Sequence, residues 1–215
     1  MEEKEEYVLG LDVSTKTIGI ALFKITGELI LLTHVTPKIK PVPPTKTQEL
    51  FEKCNTFEKQ FLDKYKELNI TKVVIEEPLL RSNNVNTVGT LLKFNGMISK
   101  TVYQILGVVP DFISSFDARA YGFPELMAIR THNKKGERYP EKDIEKRTIE
   151  DKKVLFGAYD WNVDKKIVIW EKVANLYPQI NWIYGRNHAL SKVNYDMADG
   201  CACVIGYMRK KGYWK

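Results

Sequence analysis

The chain has 215 residues, 44% of them hydrophobic and 28% charged, with a formal net charge of +6 and a pI near 9.0. That length can bury one substantial core, which predicts a single domain over residues 1–215, and no apolar run approaches the ~20 residues of a membrane span, which excludes an integral helical membrane protein. The basic balance favours an anionic partner such as nucleic acid, and the acidic start Met1–Glu6 has neither a secretory nor a transit-peptide signature, so a cytoplasmic protein is expected.

In chain order, residues 7–13, 17–24 and 28–36 alternate or run apolar, with Thr26-Gly27 between the last two, which predicts an antiparallel three-strand meander. Asp12 lies inside the first run, where a carboxylate is costly unless a cation or hydrogen-bond donors compensate it. A proline-rich connection from Pro37 to Pro44 leads to a helical stripe between Thr45 and Leu68, carried by Leu50, Cys54, Phe57, Phe61, Leu62 and Tyr65. The next strand, from Thr71, places Glu76 near its end, because Pro78 cannot donate a ladder hydrogen bond. A helix over 84–106, a strand over 108–113 and a small helix from Asp117 follow, and strands alternating with helices after a meander mean an α/β fold.

Residues 130–150 are charged and nearly free of apolar periodicity, which predicts a surface insertion or one that orders on binding. Asp164 is placed to cap a helix that ends before Pro178. The last helix should run from near Ser191 to Arg209, with Ala198, Gly200, Ala202 and Gly206 letting it sit close against a sheet. Asp196 and Asp199 are three residues apart and share one face of it. Cys54, Cys201 and Cys203 form no paired framework, and His34, His132 and His188 lie far from them, so packing cysteines rather than a zinc site are expected. Asp12, Glu76, Asp196 and Asp199 together suggest a divalent-metal nuclease site.

Three segments carry a family resemblance: Leu9-Gly10-Leu11-Asp12-Val13-Ser14-Thr15-Lys16-Thr17-Ile18-Gly19-Ile20-Ala21, Val74-Ile75-Glu76-Glu77, and Asp196-Met197-Ala198-Asp199-Gly200-Cys201-Ala202. In that order they resemble the signature segments of the RuvC-like Holliday junction resolvases of the RNase H-like superfamily. Plain ribonuclease H enzymes do not normally place two aspartates three apart on the closing helix, whereas resolvases do. The resemblance implies an RNase H-like mixed five-stranded sheet, three antiparallel strands then two parallel, flanked by helices. The first strand would be central, with the Glu76 strand beside it and the last helix across one face. Asp12, Glu76, Asp196 and Asp199 would then converge as catalytic and metal-binding residues.

Converging carboxylates cannot all stay ionised without cations, and hard oxygen ligands favour Mg²⁺, with Mn²⁺ able to substitute. The resemblance implies two ions per site, ~4 Å apart, bridged by Asp12, and in-line hydrolysis that leaves 5′-phosphate nicks. Strand alternation lets only one of Glu76 and Glu77 face such a site, and the choice of Glu76 rests on the motif alignment. Lys16, in the turn after the first strand, and Lys152, Lys153, Lys165 and Lys166, before or at the penultimate helix, are implied DNA-backbone contacts. Branched DNA, four-way junctions above all, is the implied substrate, in a bacterial or phage-infected cytoplasm.

The family is dimeric, and the helix at 84–106 is the implied contact. Its apolar Val88, Leu91, Leu92, Phe94, Met97 and Ile98 exceed one narrow stripe and fit a helix buried on two sides. Where bacterial resolvases often carry an aromatic wedge after the catalytic glutamate, Pro78, Leu79 and Leu80 stand here, leaving cleavage preference open. A broader branched-DNA or flap nuclease, or an RNA-processing nuclease of the same fold, is the nearest alternative. Actin-like and sugar-kinase ATPases share the first-strand pattern, but they need a second lobe and a second Gly-rich phosphate loop.

Overall fold

Three runs rich in β-branched and aliphatic residues, Tyr7–Val13 (β1), Ile18–Lys24 (β2) and Leu29–Val35 (β3), form the antiparallel meander. The computed structural model describes residues 5–78, 84–129, 131–133, 135–144, 156–157 and 164–215. Ile70–Glu76 (β4) pairs parallel to β1, and Asp111–Ile113 (β5) pairs parallel to β4, giving a five-stranded sheet of order β3-β2-β1-β4-β5. The last strand is shorter than the sequence predicts. Pro110 has no amide hydrogen to extend the ladder, and Val109 is exposed.

Alternation sorts the strands onto two cores. Leu9, Leu11, Val73 and Ile75 point to one face, which is covered by helix α1 (Lys46–Phe57) and helix α2 (Val85–Leu106). Past Phe57 the chain continues through a π-helical turn, Glu58–Leu62, that the periodicity does not predict; it brings Phe57, Phe61 and Leu62 all into the core. Val8, Ala21, Phe23 and Val74 point to the other face, covered by α3 (Ser115–Gly122), α4 (Lys165–Leu176) and α5 (Val193–Lys210). The helix starts follow their caps: Asn84, Ser114 and Asp164 each accept a backbone N–H of the first turn through their side chains. Ser114 accounts for α3 beginning ahead of Asp117.

The central helix α5 lies against the sheet at backbone contact. A methyl group on Gly10 would stand 2.5 Å from the Gly200 carbonyl oxygen, and one on Gly19 would stand 1.9 Å from that of Asp196. Glycine at these positions is what lets the helix approach so near.

Two features depart from the sequence reading. Helix α2 buries one face, with Phe94, Ile98 and Val102, whereas Val85, Leu92 and Tyr103 are exposed on another; within this chain it is not buried on two sides. At the charged insertion, Ala128–Ile129 (β6) and Phe156–Gly157 (β7) pair antiparallel, and His132 bridges Arg138. Strands two residues long carry no periodicity, so only their distant pairing reveals them. No helix among the described residues is long and apolar enough to cross a membrane.

Candidate metal centre

Asp12 is the next-to-last residue of β1 and Glu76 the last of β4, and both strands run parallel, so both carboxylates arrive at the same end of the sheet. Alternation sends them to the α5 face, alongside Val8, Gly10 and Val74. Glu77 is exposed, its amide bonded to the Ile113 carbonyl. Asp199 is buried on α5 and completes the group. One carboxylate oxygen from each of Asp12, Glu76 and Asp199 lies within 4.8 Å of the others.

Asp196 sits one turn earlier and lies outside that trio. The Thr17 hydroxyl donates to it, and the Lys166 ammonium is 3.6 Å from its Oδ1. Lys166 also stands 3.8 Å from Asp199 Oδ2, while Arg119 on α3 places Nη2 3.6 Å from Asp199 Oδ1. The Cys203 thiol, buried one turn beyond Asp199, is 3.9 Å from Glu76 Oε2 and donates to it.

All four carboxylates are pushed toward the protonated form. Burial raises Asp12 well above its ordinary range, and Glu76, Asp199 and Asp196 raise it further. Burial and Asp199 lift Glu76 to about 7, against the pull of Arg119 and Lys166. Asp199 and Asp196 are raised chiefly by burial, against Arg119 and Lys166 at the first and Lys166 at the second. Burial opposes the charge on Lys166 too, but the surrounding carboxylates outweigh it and raise its pKa. Two protein cations do not neutralise this much clustered negative charge. The donor set is all hard oxygen, which fits Mg²⁺ or Mn²⁺ rather than a softer ion.

A pH dependence follows from these directions. Without metal the folded state retains protons that the unfolded chain, with carboxylate pKa values near ~4, has already released. Stability in EDTA is therefore greatest in mild acid and falls as the pH rises toward about 7, the value for Glu76. Thermal melts across that window should lose roughly 5 °C, and saturating Mg²⁺ should restore them at the upper end.

The acidic cleft is small and open, about 260 Å³, with Ser14, Ser115 and Arg119 around the carboxylates. A hollow of about 540 Å³ at the other end of α5, beside Arg209 and Trp214, holds no such cluster. Lys16 is exposed in the turn that Ser14 organises by accepting the amides of Lys16 and Thr17. Together with Lys46 and Asn86 it lines a hollow of about 400 Å³ that shares Ser14 and Leu91 with the acidic cleft. Lys166 lies at the carboxylates and Lys165 opens the same helix, whereas Lys152 and Lys153 fall outside the described residues. Nothing in the sequence marks Arg119 and Cys203 as part of the site, and Thr17, although inside the first signature segment, is given no role by it. Arg119 and Cys203 are isolated residues in an ordinary local sequence, and only the packing of α3 and α5 against the sheet brings them to the site.

No protein-family model and no curated protein matches the sequence. Two solved structures match its fold over nearly the whole chain. RuvC from Thermus thermophilus aligns over 96% of both chains at 14% identity with a TM-score of 0.50. The T. thermophilus RuvC in complex with Holliday junction substrate aligns over 97% of both chains at 9% identity, with a TM-score of 0.55. The fold is that of RuvC, of the RNase H-like class. On that fold, the carboxylates of Asp12, Glu76 and Asp199 form an acidic cluster able to hold a metal ion.

Proposed function

We propose that this chain is a single-domain, Mg²⁺-dependent endonuclease that resolves four-way DNA junctions. The observation that carries the reading is the meeting of Asp12, Glu76 and Asp199 within 4.8 Å on a RuvC fold. A phosphodiester backbone suits a cleft that is shallow, open and bordered by cations, because a polymer passes across such a site without being enclosed.

Asp12, Glu76 and Asp199 would hold one ion, and Asp196 would serve a second from the preceding turn of the same helix face. Bound there, Mg²⁺ or Mn²⁺ supplies Lewis-acid charge and an activated water at neutral pH. The chain's own residues set the rest. Thr17 and Cys203 hold the Asp196 and Glu76 carboxylates by hydrogen bonds. Arg119 and Lys166 offer donors beside the carboxylates to the oxygens of an arriving phosphate, Arg119 as a planar fork. Lys16 extends this positive border toward the neighbouring phosphate. Hydrolysis in line with the departing 3′ oxygen leaves a 5′ phosphate.

A second copy covers the exposed face of α2. Val85, Gly89, Leu92 and Gly96 recur there at intervals of four, three and four, with Tyr103 two turns further on, and a methyl on Gly89 or Gly96 would meet nothing within 4 Å. Glycine inside a helix costs about 0.5–1 kcal/mol relative to alanine, and close approach of a second helix is what offsets that cost. Such a dimer presents two sites to one junction.

The test is cleavage, with Mg²⁺, of an immobile four-way junction, a flap, a plain duplex and an RNA–DNA hybrid. Symmetric nicking of the junction in preference to the others is expected. Equal cutting of flap and junction would make the enzyme a general debranching nuclease, and cutting of the hybrid alone would place it in RNA processing.

A further inference from the structure

Immediately before α5, residues 183–191 fold into a tight hairpin. Tyr184 bridges Leu190, the Gly185 amide donates to the Ala189 carbonyl at 2.8 Å, and the Ser191 amide donates to that of Ile183 at 3.0 Å. His188 at the tip adopts φ 54°, a left-handed backbone that a side-chain-bearing residue rarely takes. The base is locked from beneath. Asn194, fully buried in the first turn of α5, accepts the Ile183 amide at 3.0 Å and donates to the Ile183 carbonyl at 2.7 Å. Trp182, just ahead of the hairpin, packs edge-on against Trp170 of α4.

This order secures no core, because every residue from 183 to 189 is exposed. Tyr184 is 55% exposed, and the side chains of Tyr184, Arg186 and His188 make no hydrogen bond or ion pair with the described residues. An aromatic ring and an unpaired guanidinium are thus presented on a rigid support. Asn194, which holds the support, is two residues from Asp196, so the hairpin projects at the end of α5 where the carboxylates gather. Organised surface loops with unpartnered side chains beside a site are where recognition concentrates.

Resting on the nuclease reading, we propose that the hairpin at 183–191 is a substrate-gripping finger. Arg186 contacts a backbone phosphate, and Tyr184 stacks on a base left unpaired at the branch, next to the strand lying over Asp12, Glu76 and Asp199. A fully paired duplex has no free base face there, so the finger favours branched or single-stranded segments. It positions substrate and takes no part in bond breaking.

The test is binding of a labelled immobile four-way junction and of a plain duplex to the full chain in Ca²⁺, from low to moderate salt. Arg186→Gln should weaken both ligands about 3- to 10-fold and flatten the log–log salt slope by roughly one. Tyr184→Ala should weaken the junction about 5-fold or more while leaving the duplex nearly unchanged, the loss of one stacked base. With Mg²⁺, both variants should raise KM for the junction and keep kcat. Wild-type affinity and salt slope in both variants would overturn the finger and leave the nuclease reading standing. A wild-type chain that binds no nucleic acid would overturn both.

Discussion

Replacing Asp12 with asparagine should change activity and stability in opposite directions. Cleavage with Mg²⁺ is expected to fall by at least ~10²–10³-fold, the scale on which a directly acting electrostatic group is lost. The metal-free variant should nevertheless melt higher than the wild type near pH 8, by about 1–2 kcal/mol or ~4 °C, because it removes one buried charge from a cluster of like charges. The introduced amide keeps the size of the side chain and adds donors to its carboxylate neighbours, Glu76 and Asp199. The gain on adding Mg²⁺ should shrink in the variant. If asparagine instead lowered the metal-free melting temperature and left the Mg²⁺ response intact, Asp12 would be a structural hydrogen-bonding group and the metal centre would be misplaced.

Gly19→Val should be the most damaging substitution outside the carboxylates. A Cβ at residue 19 would lie 1.9 Å from the Asp196 carbonyl oxygen and 2.8 Å from the Met197 nitrogen, both backbone atoms that no rotamer change can move aside. Overpacking of a core ordinarily costs ~1–3 kcal/mol, and a backbone clash belongs at or above the upper end. Either α5 lifts from the sheet, carrying Asp196 and Asp199 with it, or the domain fails to fold. We expect a loss of more than ~3 kcal/mol in a urea melt, with no stabilisation by Mg²⁺ in whatever folded fraction survives. A variant that melts like the wild type and retains its Mg²⁺ response would show that α5 does not sit where the contact at Gly19 requires.

Much of the architecture is legible in the residues, for identifiable reasons. Asp12 and Glu76 stand out because each interrupts or ends an apolar run, and the run itself announces the strand that positions it. Asp199 stands out through its small neighbours Ala198, Gly200 and Ala202, the mark of a helix pressed against a sheet. The sheet order comes from the resemblance and not from periodicity, which cannot tell which strands pair. Asp196 looks equivalent to Asp199 because helical spacing records only the shared face; its diversion toward Thr17 and Lys166 arises from the β1–β2 turn and α4, remote in sequence. Arg119 leaves no local trace for the same reason. The exposed stripe of α2 reads as buried because apolar residues look alike in sequence whether the fold covers them or leaves them exposed.

The three carboxylates that meet at the cleft come from residues 12, 76 and 199, far apart along the polypeptide. During synthesis the first two are made well before α5, and one face of the sheet lacks its central covering helix. The carboxylate cluster is therefore incomplete in the nascent chain until its last member arrives. The cluster closes in a single late event, the docking of one helix, which also shields the hydrophobic face that would otherwise draw the chain into aggregates.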